Sequence, residues 1–239
     1  MSLSKKVVLV SGANKGIGAA TVRRLLKTDI ARIYAAARNP AALPDFGDAR
    51  VVPLQLDVTD AASVRRAAET AGDVDLLVNN AGTMAWGDWI TSTDAMVEAD
   101  MNTNFYGTLA VIRAFLPAFL GRGSGTIANV VSIVGLAATA PISGYSASKA
   151  ALQSLTQSLR ATLAPKGVSV IGIYPGPVDT DLAAAVPLAK VTPEEAAENI
   201  VLGLEKGDTY IFPDPLAKQI GHLFATDGHQ LEAAMNIGG

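Results

Sequence analysis

The chain of 239 residues has no cysteine, only two histidines and few aromatic side chains, 5% in all. Without cysteine there is no disulfide framework and no thiolate nucleophile, which fits a cytoplasmic compartment without requiring one. His222 and His229 stand apart with no cluster of acids between them, so they read as surface or packing residues, and no metal site is expected. Charge is also sparse at 17%, and the net charge of −3 argues against a nucleic-acid partner. No apolar run reaches the ~20 residues of a membrane span. The N-terminus carries no apolar signal core with a cleavage site, because Lys5-Lys6 leads directly into a β-branched run. No membrane association is therefore expected, and the location expected is the cytoplasm. With 49% hydrophobic residues, the chain is long enough for one α/β domain, 1–239, with a sizeable core.

What is present is a glycine-rich turn in a telling place. Val7-Val8-Leu9-Val10 reads as a buried parallel strand. Directly after it come Ser11-Gly12-Ala13-Asn14-Lys15-Gly16-Ile17-Gly18 and then a helical stretch. Glycines allow tight turning and close backbone approach, and a helix N-terminus offers free N–H groups and a positive dipole end. A strand, such a turn and a helix together read as a phosphate cradle. The spacing is G-x-x-x-G-x-G rather than the commoner dinucleotide fingerprint, so the glycines alone would also suit an ordinary loop.

Further strands are expected at 32–37, 50–55, 75–79, 126–131, 168–174 and 209–212, and helices at 17–27, 61–71, 94–120, 144–164, 193–205 and 216–234. This alternation predicts a single-domain, doubly wound parallel sheet of the Rossmann-like kind, with about seven strands and helices on both faces. Ligands of such sheets bind outside the carboxyl ends of the strands. Gly12, Arg38, Asp57, Asn80, Ser132 and Pro175 all fall at or just past predicted strand ends. Arg38 occupies the place where NAD-selective sites carry an acid for the ribose 2′-hydroxyl. Arg38 with Lys15 suits a 2′-phosphate instead, so NADP(H) is expected over NAD(H). The plain alternative for Arg38 is a solvated loop cation.

Tyr145 and Lys149 lie four apart in Gly144-Tyr145-Ser146-Ala147-Ser148-Lys149, a spacing that sets them on one helix face. A phenol ordinarily titrates near pH 10. A neighbouring ammonium favours the phenolate, so Lys149 is expected to lower the Tyr145 pKa toward the range of general acid–base catalysis. Taken alone, the pair would equally suit one buried ring and one solvated amine.

Together these residues resemble the short-chain dehydrogenase/reductase family over roughly 5–182. Gly12, Gly16 and Gly18 match its glycine motif, with Asn14, Lys15 and Ile17 between them. Asp57-Val58 matches its adenine contact, and Asn80-Ala81-Gly82 matches the turn after the fourth strand. Asn104, Ser132, Tyr145 and Lys149 match its catalytic tetrad. Pro175-Gly176-Pro177-Val178-Asp179-Thr180 matches the segment that holds the nicotinamide carboxamide. The resemblance implies hydride transfer between NADP(H) and a carbonyl or secondary alcohol, in the manner of a carbonyl reductase. It gives Tyr145 the role of general acid/base and gives Lys149 contacts to the nicotinamide ribose. Ser132 would stabilise the oxyanion, and the Asn104 amide would hold a water that relays protons to Lys149; the plain alternative for Asn104 is a satisfied core amide or a helix kink.

The segment 181–191 is expected to fold over the substrate. Its Ala, Leu, Val and Pro content suits a small or apolar compound, although it would equally suit simple packing. Trp86 and Leu182, with Ser132 and Tyr145, are the expected substrate contacts. Residues 213–239 depart from the usual family ending, which leaves tail-mediated tetramers in doubt, while the long helices could still form the face of a homodimer or homotetramer. Two rivals stand beside the reductase. A non-catalytic NADP(H)-binding redox sensor would have lost tetrad residues, and all four are present. A sugar-nucleotide epimerase would need more chain after Thr180 than the 59 residues found.

Overall fold

A computed structural model of the chain describes residues 2–235, so the ends of the expected 1–239 domain and the last positions of the 213–239 segment lie outside the described residues. Seven parallel strands form one sheet: β1 (Val7–Ser11), β2 (Arg32–Ala37), β3 (Val51–Gln55), β4 (Leu76–Asn79), β5 (Gly125–Val130), β6 (Val168–Ile173) and β7 (Tyr210–Ile211). Their order is β3-β2-β1-β4-β5-β6-β7, so the direction of winding reverses between β1 and β4. Crossover helices make the strands parallel, and parallel strands buried on both faces need apolar side chains on both. Val8 and Val10 of β1 face one layer with Val22 and Leu25, while Leu9 faces the other with Phe115 and Phe119.

The first layer consists of α1 (Gly16–Leu25) and α6 (Pro193–Lys206). The second holds α2 (Ala61–Thr70), α4 (Thr108–Arg122) and α5 (Ser143–Leu163). The expected helix starting at Thr192 is present: the Thr192 hydroxyl accepts from Glu195 N–H, Pro193 takes the first turn, and Gly207 closes the far end at φ 76°.

Two expected helices differ from what forms. The single helix predicted over 94–120 is interrupted: α3 (Asp94–Asp100) passes into a π-helical segment, Met101–Gly107, before α4. Periodicity of apolar residues does not register one extra residue per turn. The wider turn contains Asn104, and insertions of this kind recur at functional sites. The helix predicted over 216–234 is two, α7 (Pro215–Thr226) and α8 (Gly228–Met235). Asp227 divides them because its carboxylate accepts from His229 and Gln230 N–H and so starts a new helix. Among the described residues no helix is long and apolar enough to cross a membrane.

Candidate active site

The carboxyl ends of β1 and β4 meet where the winding reverses. The Ser11 hydroxyl accepts from Asn80 and Ala81 N–H, both at 3.0 Å, and the Asn80 amide donates to Ser11 O at 2.9 Å. Gly12 turns at φ 66°. A methyl group on Gly18 would stand 2.3 Å from Gly12 O, so the helix can approach the turn only with glycine there. The helix that follows has bare N–H groups. Side-chain acceptors cap α2, α3, α6 and α7, whereas α1, like α4 and α5, has neither a side-chain cap nor an acid in its first turn. Uncapped N–H groups at the dipole's positive end, beside a glycine turn, fit a dinucleotide pyrophosphate. Asn14, Lys15, Gly16 and Ile17 all lie in this turn or the first residues of α1.

Arg38 is exposed just past β2; hydrogen bonds from Thr59 hold the Asp57 carboxyl below the usual carboxylate range, and the Arg38 charge adds a smaller part. The Thr59 hydroxyl donates to Asp57 Oδ1 at 2.7 Å. Val58 packs where a methyl group on Gly107 would stand, 2.8 Å away. Lys15 pairs with Asp181 at 2.7 Å, which links the glycine turn to the expected substrate loop. The base of that loop is closed by a bridge between Val178 and Val191. Gly16 stands against Thr180, whose Cγ2 would lie 3.0 Å from an added methyl group.

The segment after Gly82 is pinned to the helix at two points. Asn104 Oδ1 accepts from Thr83 N–H, and its amide donates to Thr83 O and Ser148 Oγ, each at 2.9 Å. One turn earlier, Asp100 Oδ2 accepts from Ala85 N–H at 3.2 Å. Four residues apart along the helix, the two side chains reach alternate amides of that segment, Ala85 and Thr83. The expected water-holding role of the Asn104 amide is revised accordingly. Both its hydrogens are taken by protein acceptors, and the side chain serves as a strap.

Ser132, Tyr145 and Lys149 come together past the end of β5. Ser132 Oγ donates to Pro175 O at 3.3 Å and accepts from Val134 N–H at 3.4 Å, its hydroxyl stands close enough to the Tyr145 hydroxyl to favour the phenolate, and Lys149 Nζ lies 5.6 Å from the Tyr145 ring centre. Gly82 leaves Lys149 and Asn104 room, since a methyl group there would stand 3.7 Å from Lys149 Nζ and 3.0 Å from Asn104 Oδ1. Ser132 adopts φ 139°, a conformation that side-chain-bearing residues rarely take. The expected lowering of the Tyr145 pKa is corrected. Burial pushes the phenol well above its ordinary range, and the Asp100 charge adds to the rise, against the Ser132 hydrogen bond. Burial also brings the Lys149 ammonium down to about 8, and Lys149 Nζ donates to Val130 O at 2.8 Å. Spacing on the helix predicts proximity but is silent about desolvation.

Pro175 and Val178 are buried, and Gly176 N–H donates to Asp214 Oδ2 at 2.7 Å. Asp214 also caps α7, a double use that no local motif announces. Trp86 and Leu182, the other expected substrate contacts, lie on the two segments flanking this region with 39% and 42% of their surfaces exposed. Sequence reasoning missed Asp100, Asp214, Thr83 and Ser148. Ser148, three residues after Tyr145, and Thr83, directly after Asn80-Ala81-Gly82, lay close to recognised motifs, whereas Asp100 and Asp214 did not.

Comparison with known proteins agrees with this geometry. The family model for short chain dehydrogenases matches residues 6–190. An uncharacterized oxidoreductase of Staphylococcus saprophyticus is 34% identical over 221 residues, which is 86% of this chain and 94% of that protein. The crystal structure of a short chain dehydrogenase from Burkholderia cenocepacia in complex with NADP superposes with a TM-score of 0.91 at 37% identity, covering 98% of this chain and 99% of that one. A short chain dehydrogenase/reductase from Burkholderia phymatum in complex with NAD shares the fold at a TM-score of 0.82 and 24% identity, covering 99% and 97%.

Proposed function

The chain belongs to the short-chain dehydrogenase family of oxidoreductases, and from that premise we propose that it transfers hydride between NADP(H) and a small or apolar carbonyl compound or the matching secondary alcohol. The observation that carries the reading is the convergence of Ser132, Tyr145 and Lys149 past the carboxyl end of β5, in one wall with the Asn104 strap. A bound nicotinamide supplies the hydride. Tyr145, kept protonated by its burial, donates a proton to the carbonyl oxygen in reduction and takes one back in oxidation. The Ser132 hydroxyl supplies a hydrogen bond where negative charge develops on that oxygen. Lys149 contributes a cation beside the ring and donors to the ribose hydroxyls. Asn104 acts through Thr83 and Ser148, holding the segment and the helix that frame the pair.

Preference for NADP(H) is supported by Arg38 past the end of β2 with no acid in its place, and by Lys15 in the turn. The 37% identical Burkholderia cenocepacia protein, solved with NADP, points the same way. The glycine turn, Asp57-Val58, the Asn80-Ala81-Gly82 turn and Pro175–Thr180 would hold the dinucleotide, with Trp86 and Leu182 toward the substrate. The outer faces of α4 and α5, where Arg113, Ala150 and Gln157 are exposed, are the proposed self-association surface.

The test is Tyr145→Phe. Turnover of carbonyl compounds with NADPH should fall by at least about 100-fold, while NADPH binding, read by fluorescence titration, stays unchanged. Turnover at the wild-type rate would remove Tyr145 from the mechanism. A wild-type protein that binds NADPH yet turns over no carbonyl or alcohol would favour the redox-sensor reading.

A further inference from the structure

Asp100 is absent from every recognised motif and lies in the wall of the site. It is 1% exposed, and the only hydrogen bond of its carboxyl among the described residues is Ala85 N–H to Oδ2. Oδ1 is buried with no partner. The backbone of α5 closes over it at the residue before Tyr145, for a methyl group on Gly144 would lie 3.7 Å from Asp100 Oδ2. We propose that Asp100 is a positioning residue for the acid/base pair: its carboxyl exchanges between neutral and ionised forms inside the wall, and the form present sets how readily Tyr145 gives up its proton. The proposal rests on the reading of Tyr145 as acid/base.

Solvation decides which form is present. An ionised carboxylate needs donors at both oxygens, and a bare buried oxygen is stable mainly as part of a neutral acid. Desolvation accordingly brings Asp100 up to about 6, opposed by Ala85 N–H and by the Lys149 charge. The titratable groups that face it are both on α5, Tyr145 and Lys149. The 83–85 segment faces it with a backbone N–H. Tyr106, in the π-helical segment, is exposed, as are Asp94 and Glu98 on α3 itself. Ionised Asp100 is a like charge to the Tyr145 phenolate and disfavours it, and an opposite charge to Lys149, which it keeps protonated. Neutral Asp100 does neither. The rung to Ala85 survives in both forms, because Oδ2 accepts in either.

Two measurements test the proposal. The first needs no turnover: carbon-13 NMR of the protein labelled at aspartate carboxyls, followed from pH 3 to 9. One resonance should titrate well above the rest, vanish in Asp100→Asn, and move to higher pH in Lys149→Met, since coupling between two groups is reciprocal. A resonance assigned to Asp100 that titrates with the exposed aspartates, or ignores Lys149→Met, overturns the proposal. The second is the pH profile of kcat/KM for alcohol oxidation. Asp100→Asn keeps an acceptor for Ala85 and removes the charge, so its midpoint should move toward acid by about one pH unit or more. Asp100→Glu, which restores a carboxyl, should return it toward the wild-type value. An unmoved midpoint in a folded Asp100→Asn also overturns the proposal. A protein with no oxidoreductase turnover would refute the functional reading instead, and the NMR titration would still decide whether Asp100 is coupled to Lys149.

Discussion

Replacing Asn104 with Leu removes three hydrogen bonds of 2.9 Å from a side chain with no exposed surface. The loss is not spread evenly over the partners. Ser148 Oγ keeps its own donation to Tyr145 O at 2.7 Å, so it remains satisfied. Thr83 loses a partner at both its N–H and its carbonyl, and each group left unmatched costs about 1–3 kcal/mol. Thr83 is half-buried, so water reaches it in part, and the lower half of that range applies. The sum is about 2–4 kcal/mol, a sizeable part of the ~5–15 kcal/mol that holds a typical domain folded. For a chain of this size, that lowers the melting temperature by about 5–15 °C. The control is Asn102→Leu, two residues away and exposed, where the change should stay within about 0.5 kcal/mol. Thermal and urea unfolding by circular dichroism would measure both variants. Hydrogen exchange at Thr83 and Ala85 should accelerate only in Asn104→Leu. Equal melting temperatures for the two variants would refute the strap.

Arg38→Asp should weaken NADPH by about 10-fold or more, one lost charge-assisted contact plus repulsion, and change NADH far less. Paired fluorescence titrations read the ratio, and an unaltered preference would misplace the 2′-phosphate. Gly18→Ala should abolish dinucleotide binding in isothermal calorimetry, because its methyl group would meet backbone at Gly12 O, 2.3 Å away, and backbone cannot yield as a side-chain tip can. Full affinity would contradict the close packing of turn and helix. Asp100 also predicts a pH dependence of stability. Its folded-state pKa is raised, to about 6, so the stability it contributes is present below its unfolded value near 4 and is lost as pH rises through 6. Asp100→Asn should gain at most about 3 kcal/mol over wild type between pH 4 and 7, measured as the difference in urea midpoints. A difference that does not grow with pH would mean that Asp100 titrates alike in the folded and unfolded protein and that its pKa is not raised.

The order of strands and helices was legible because burial on both faces of a parallel sheet leaves short β-branched runs, and amphipathic helices leave a different period. Val7–Ser11, the glycines and the helix after them could be read in line because the cradle is local: strand, turn and helix are consecutive. Arg38, Asn80 and Ser132 could be placed on one edge because parallel strands put all their carboxyl ends there. Each inference needed only the neighbours in sequence or one topological rule.

What escaped has a common cause. The strap at Asn104 and the rung at Asp100 join a helix to the 83–85 segment across a gap of 15 to 21 positions in the chain. Asp100 follows Met96, Val97 and the exposed Glu98 in what reads as one more amphipathic turn, and nothing in its sequence surroundings marks it as buried. The sign of the Tyr145 shift escaped for the same reason. A four-residue interval brings an ammonium to a phenol, and charge alone lowers the phenol's pKa. In the fold the ring and the amine are both buried, so desolvation dominates the phenol, and a third, acidic group, Asp100, adds to the rise. The chemistry of the pair is therefore written partly in residues that no motif contains. Changing Asp100 alone, with every motif residue intact, should move the pH at which Tyr145 works.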